Sequence, residues 1–344
     1  MNSFTFSPPA NLSKVLAQPT FYENITITKQ KELIEGIPDG ILALIAPLVA
    51  YWSYSMFFHI IDVYELAEQY RIHPSEEEQS RNKVTLHEVI RDVIFQHIIQ
   101  TIVGIGVYFL DPAPKTGFEM YAMWDLKHNY LPSFVPDWAI YYGYMYGYSL
   151  LKLAVAITII DTWQFWLHRI MHVNKALYRR FHSRHHRLYV PYAFGALYND
   201  PVEGFLLDTL GTGVASLVTG LSHRECIVLY TFATMKTVDD HCGYRLPFDL
   251  FQIIFPNNSV YHDIHHQMWG IKSNFSQPFF TFWDAFSNTK YKFVNEYKEL
   301  QNHITLTKYK EFLAKKSKSS TKSKEEVEIE EEETIINNEN KKNI

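Results

Sequence analysis

Three stretches of this 344-residue chain are apolar and long enough to cross a bilayer, which takes about 20 helical residues. Ile41 to Ile61 and Val93 to Leu110 hold no Asp, Glu, Lys or Arg, and Ala139 to Ile160 is broken only by Lys152. In hydrocarbon each backbone N–H and C=O must be satisfied inside the protein, so segments of this kind predict helices gathered in a bundle. Tyr141, Tyr142, Tyr144 and Tyr146 at the start of the third stretch fit an aromatic belt at a membrane interface. A fourth apolar region, 205–236, is interrupted by Ser222-His-Arg-Glu225. Its halves are short for independent spans, which leaves open two crossings or a hairpin of half-buried helices. The expected fold class is an all-α integral membrane protein, a transmembrane helical bundle.

Basic residues give the orientation. The loop after the first span carries Arg71, Arg81, Lys83 and Arg91; the loop after the second has Lys115 and Lys127; after the third come Arg169, Lys175, Arg179, Arg180, Arg184 and Arg187. Cytosolic loops are rich in Lys and Arg, so 62–92 and everything just after Asp161 are expected in the cytosol, with the N-terminus lumenal. Two glycosylation sequons, Asn11-Leu-Ser13 and Asn24-Ile-Thr26, agree. The 205–236 region must then return to the side it left. Residues 1–36 form a polar lumenal N-terminus, 37–160 the transmembrane helices, 161–312 a domain containing the hydrophobic hairpin, and 313–344 a disordered, charged cytosolic tail. That tail holds the acidic run Glu325 to Glu333. It ends Lys341-Lys342-Asn343-Ile344, which resembles a dilysine retrieval signal for the endoplasmic reticulum, an address read in the cytosol. No basic surface suggests a nucleic-acid partner. The two cysteines, Cys226 and Cys242, make no disulfide framework.

Nine of the 16 histidines fall at metal-ligand spacing. His168 and His172 are four residues apart; His182, His185 and His186 follow; His241 stands alone; His262, His265 and His266 repeat the second spacing. On a helix, positions i, i+3 and i+4 share a face, so each cluster is expected to aim its rings at a common point. Nine imidazoles exceed the needs of one tetrahedral zinc and point to two metals. Imidazole suits zinc, copper, iron and nickel alike. Ligating histidines donate their second N–H to an oxygen, and Asp161, Asp200, Glu203, Asp239, Asp240 and Asp263 lie near the clusters as possible partners or as ordinary surface charges. The seven other histidines have no partner at ligand spacing and are expected at surfaces, interfaces or in the core. His97 is one of them, although it lies inside a span.

This pattern resembles the fatty acid hydroxylase and sterol desaturase superfamily. The phrases Thr237-Val-Asp-Asp-His-Cys-Gly-Tyr244 and Asn257-Asn-Ser-Val-Tyr-His-Asp-Ile-His-His266, with Phe205-Leu-Leu-Asp-Thr-Leu-Gly211, are similar to the fungal and plant sphingoid-base C4-hydroxylases, from about Ile37 to Phe312. The resemblance implies a multi-pass enzyme of the endoplasmic-reticulum membrane, its histidine-rich di-iron cap facing the cytosol. It implies O2-dependent hydroxylation at C4 of sphinganine or dihydroceramide, two iron ions held by the nine histidines, and electrons from a separate cytochrome b5 and its NAD(P)H reductase. Arg179, Arg180, Arg184 and Arg187 offer a docking face for such a donor, or a contact with anionic lipid. Relatives often read His-Pro-x-Glu where this chain has Asp200-Pro-Val-Glu203, so Asp200 is open between a ligand, a water-bridged ligand and a helix cap. A sterol desaturase, methyl oxidase or other fatty-acid hydroxylase is the alternative within the superfamily. Outside it, the alternative is a zinc-binding membrane protein without redox chemistry.

Overall fold

A computed structural model describes residues 7–18 and 25–315. Lys341, Lys342, the acidic run and Asn24 of the second sequon lie outside the described residues.

The three apolar stretches form helices Asp39–Val63, Leu86–Leu110 and Asp137–Val173, each long and apolar enough to cross a membrane. Pro38 and Pro136 stand just before the first and third, where a missing N–H costs nothing. The Thr85 side chain caps the second by accepting from the Glu88 N–H at 3.3 Å. Their outer faces expose Val49, Phe57, Ile98, Ile102, Leu150 and Val155. An apolar shell of this kind suits lipid rather than water.

Two boundaries differ from the hydropathy reading. The second helix starts two turns earlier than Val93, and the third continues past Ile160 to Val173. Nothing in Asp161–Val173 breaks a helix, so the chain keeps its hydrogen-bond ladder after it has stopped being lipid-like. A π-helical turn, Gly143–Gly147, marks the early part of this long element.

The 205–236 region is a hairpin. Its first limb runs from Pro201 through a π-helical stretch, Phe205–Leu210, to Thr219. Gly220, with φ +60°, ends that limb, and Ser222 opens the second, His223–Asp240, through a reciprocal capping box with Glu225. The polar interruption is thus a tight turn joining two helices. The first limb starts and the second ends on the histidine side, as the orientation argument requires. The tip reaches the other end of the bundle: Arg224 pairs with Asp39 at 2.8 Å, His223 with Asp111 at 2.8 Å, and Lys152 with Glu225 at 2.6 Å. Asp39 starts the first membrane helix and Asp111 follows the second, so the hairpin is as deep as the bundle.

Both limbs touch the third membrane helix, and the second also packs against the first. Ala215 and Leu229 meet Ala156 and Ile160 of the third helix. Val238 joins Tyr51, Phe58, Val89, Val93 and Phe194 in the largest core cluster. Gly211 is needed because a Cβ there would lie 2.7 Å from the Trp163 ring, whose Nε1–H donates to the Leu206 carbonyl at 2.8 Å.

The 62–92 loop closes over the histidine end. The Ile72 N–H donates to the Gly243 carbonyl and the Lys83 N–H to the Arg187 carbonyl, both at 2.9 Å. Opposite, Leu12 and Leu16 of the N-terminal helix pack on Met123, Ile140 and Tyr141, away from the histidines.

Candidate metal centre

His168 and His172 lie one turn apart near the end of the third membrane helix. His182 closes a π-helical turn, Tyr178–His182, and His185 and His186 open the 3-10 turn that follows. His241 is the C-cap residue of the second hairpin limb. His262, His265 and His266 lie on helix Ser259–His266, started by Asn258, whose side chain accepts from the Tyr261 N–H at 3.1 Å.

The nine rings assemble into two groups: His168, His172, His182, His186 and His265 in one, and His185, His241, His262 and His266 in the other. Within each group the candidate ligand atoms lie within 4.8 Å of one another. This corrects the expectation that each cluster serves a single point. Neighbouring helical residues are turned about 100° apart, so His265 and His266 reach different groups, as do His185 and His186. Only the i, i+4 pairs stay together.

In the larger group Nε2 of His182 lies 3.0 Å from that of His168 and 2.9 Å from that of His186, and His172 is 3.2 Å from both His168 and His186. In the smaller group His262 lies 3.0 Å from His241 and 3.1 Å from His266, and His241 lies 3.5 Å from His185. The far ring nitrogens fix the tautomer. Nδ1 of His168 faces the Phe275 carbonyl at 2.8 Å, His265 that of Ser273 at 2.8 Å and His266 that of Leu188 at 2.7 Å. Likewise His241 faces Thr237 at 2.8 Å and His185 faces Tyr198 at 3.2 Å. A carbonyl can only accept, so these Nδ1 atoms carry the proton and leave Nε2 lone pairs pointing at one another. Bare lone pairs at such distances repel. Two nitrogens each about 2.0–2.1 Å from a shared cation, at right angles, would lie roughly 3 Å apart. His265 Nε2, buried and without a hydrogen-bond partner among the described residues, is a further donor waiting for an electrophile. The donor set therefore fits two metal ions.

Electrostatics agree. Burial, then the neighbouring imidazoles, push His182, His186, His262 and His266 well below the usual histidine range. Burial and His241 take His185 down to about 3. The rings are neutral near pH 7, the form that ligates.

The expected carboxylate partners divide. Glu203 contacts His182 Nδ1 directly. Asp161 instead accepts from the Phe279 and Phe280 N–H groups at 3.1 and 2.6 Å, fastening the loop that holds His168 through Phe275. Asp200 accepts from the Val202 N–H at 3.0 Å as a helix cap and meets Arg180 at 3.4 Å. Asp239 bonds Tyr54 at 3.3 Å, and Asp240 pairs with Lys236 and Asn257. Asp263 turns away from the rings toward His73, at 3.0 Å, and Tyr297, at 2.7 Å. His97 packs edge-on against Tyr51 and Trp52, outside both groups. Sequence reading missed Asp284, which accepts from the Phe275 and Ser276 N–H groups at 3.0 and 2.7 Å and so shapes the carbonyl loop. It also missed the carbonyls themselves, which carry no side-chain signal.

A cavity of about 20 Å³ adjoins His182 of the larger group and His185, His241 and His262 of the smaller. Gln164 of the third helix and Leu207 and Asp208 of the hairpin also wall it. On the outer face, Arg184 pairs with Asp92 at 2.6 Å and Arg187 with Glu88 at 2.5 Å, while Lys175, Arg179 and Arg180 remain exposed.

Fold and site together define a helical membrane protein with a two-group histidine metal centre at one end of its bundle. The fatty acid hydroxylase family profile matches residues 153–289. The chain is 60% identical over 289 residues to Sphingolipid C4-hydroxylase SUR2 of Saccharomyces cerevisiae, covering 84% of this chain and 82% of that protein. It is 44% identical to Sphingolipid C4-hydroxylase sur2 of Schizosaccharomyces pombe, over 71% of this chain and 85% of the relative. It is 42% identical to Sphinganine C4-monooxygenase 1 of Arabidopsis thaliana, over 77% and 92%. The chain belongs to the fatty acid hydroxylase family. No solved structure matches it.

Proposed function

We propose that this chain is a sphingolipid C4-hydroxylase that adds oxygen from O2 at C4 of sphinganine, or of the same unit in dihydroceramide, with two iron ions held by the nine histidines. Its similarity to sphingolipid C4-hydroxylases along most of both chains supports the reaction and the substrate class. The observation that carries the mechanism is two groups of neutral imidazoles bordering one small cavity. Bound iron would supply the oxidation of an unactivated C–H bond by O2 and two electrons, which acid–base side chains cannot perform.

The protein's own groups do the rest. Carbonyls hold five of the rings, and Glu203 a sixth, by their Nδ1 atoms, and burial keeps the rings unprotonated. A substrate that enters from the bilayer keeps its alkyl chain out of water, at a saving of about 0.8 kcal/mol per CH₂. Five imidazoles in one group exceed what zinc uses, which argues against a zinc-binding protein without redox chemistry. We place the histidine end on the cytosolic side, on the strength of the lysines and arginines of 62–92 and 169–187, and the membrane as that of the endoplasmic reticulum, as the resemblance to sphingoid-base hydroxylases implies. Electrons would come from a separate cytochrome b5 and its NAD(P)H reductase. With Arg180, Arg184 and Arg187 already paired, Lys175 and Arg179 are the exposed charges left to meet an acidic donor.

The test is purified, iron-loaded protein supplied with sphinganine, ¹⁸O₂, cytochrome b5 and reductase. The expected product is a 4-hydroxylated base carrying one ¹⁸O. Near-stoichiometric zinc with no oxygen-dependent product would sink the assignment.

A further inference from the structure

We infer that Asp208, flanked by Gln164 and Asn199, is the head-group subsite: its carboxylate receives the C3 hydroxyl and C2 nitrogen of the sphingoid unit and so decides which carbon faces the metal groups. This rests on the sphingoid-base reading above.

Asp208 sits in the π-helical stretch Phe205–Leu210 of the hairpin's first limb. Such interruptions of an α-helix are frequent at functional sites, and a carboxylate within a membrane element is a functional candidate by default. It lines the same cavity as rings from both metal groups. Its hydrogen-bond partners are Gln164 Nε2 at 3.4 Å and Asn199 Nδ2 at 3.5 Å, both neutral amides and both long against the usual ~2.9–3.0 Å. No Lys or Arg pairs with it among the described residues, unlike Asp240, which has Lys236, and Asp39, which has Arg224. A half-buried carboxylate with slack, uncharged partners lacks what an amino-alcohol supplies, a positive or N–H donor beside a hydroxyl donor. The other acids in the cavity are engaged, Glu203 with His182 and Asp240 with Lys236.

Placement makes the contact selective. Gln164 lies one turn before His168 on the same helix face, and Asn199 follows Tyr198, whose carbonyl holds His185. The polar trio is therefore fixed relative to both metal groups. C3 is bonded to C4, so holding the C3 oxygen leaves C4 little freedom to move.

Asp208→Asn keeps the volume and removes the charge. Wild type and variant, in nanodiscs, are given sphinganine and its 3-deoxy analogue, with metal content measured alongside. The variant should raise KM for sphinganine about 10–100-fold, the loss of a charge-assisted hydrogen bond, while the analogue changes less than about threefold. Preference for the 3-hydroxylated substrate should collapse, and oxidation should spread to the neighbouring carbon. Equal damage to both substrates, or an unchanged preference, overturns the subsite. Should Asp208→Asn not fold, Gln164→Leu reads the same preference, with the same two outcomes. Wild-type protein that makes no 4-hydroxylated base would instead overturn the substrate assignment.

Discussion

His265→Ala and His266→Ala alter adjacent residues of one helix, yet they should empty different halves of the metal centre. His265 belongs to the five-ring group and His266, 3.1 Å from His262, to the four-ring group. A four-ligand site is worth about 10–16 kcal/mol in metal binding, or about 3 kcal/mol per ligand, and about 3 kcal/mol corresponds to roughly a hundredfold in affinity. Without His265 the larger group keeps four donors; without His266 the smaller keeps three. The His266 variant should therefore lose its ion first as chelator is added. The assay is metal-to-protein stoichiometry through a chelator titration of each purified variant. One ion per chain should leave at roughly hundredfold lower chelator strength than in wild type, while the other titrates normally, and the affected ion should differ between variants. If both variants lose the same ion, or both ions leave together in each, the partition of the rings is wrong.

Glu203→Gln should weaken metal binding in the larger group about 10–100-fold, because the partner that polarises His182 is gone; unchanged affinity in the same titration would refute that role. Asp200→Ala should cost about 1 kcal/mol of stability as a lost helix cap, seen as a lower Tm with metal content intact, whereas loss of metal would make Asp200 a ligand. Burial opposes a charge on His73, but the Asp263 carboxylate and hydrogen bonds to Asp263 and Glu77 outweigh it and lift the ring to about 9. A pKa raised on folding stabilises fully below the unfolded value of about 6.5. That contribution, up to about 3 kcal/mol, fades as pH climbs through 9. Tm should therefore fall between pH 6.5 and 9 in wild type and stay flatter in His73→Gln; parallel curves would refute the coupling.

The membrane helices were legible because an uncharged apolar run has few other ways to fold, but their ends were not. Hydropathy stops near Ile160, while helix propensity carries the third element through His168 and His172. The hairpin turn was written in Gly220 and in the Ser222-x-x-Glu225 capping box, a readable start signal that looks like mere polarity when only hydropathy is weighed. The histidines stood out by spacing, yet their division into groups of five and four depends on which ring of each i+3, i+4 pair meets which neighbouring element. That is a tertiary fact. The same holds for the carboxylates: Glu203 and Asp200 are three residues apart, and helix geometry alone cannot say that one meets a ring while the other caps the helix between them.

The hairpin explains why so polar a centre can sit on so apolar a bundle. The first turn of its first limb carries Glu203, which contacts a ring of the larger group, and its second limb is closed by His241, a member of the smaller. The tip is tied by Arg224–Asp39, His223–Asp111 and Lys152–Glu225 to the opposite end. Lys152 and His168 lie sixteen residues apart on one unbroken helix, or about 24 Å at 1.5 Å per residue. The rings are thus held at a fixed height above the far membrane face by two parallel struts, the third helix and the hairpin. A substrate anchored in lipid by its tail and at the interface by its head also has a fixed height. Matching the two makes one carbon of a long, chemically uniform chain reachable, and it places the choice of that carbon in the depth of the helices as much as in the metal ligands.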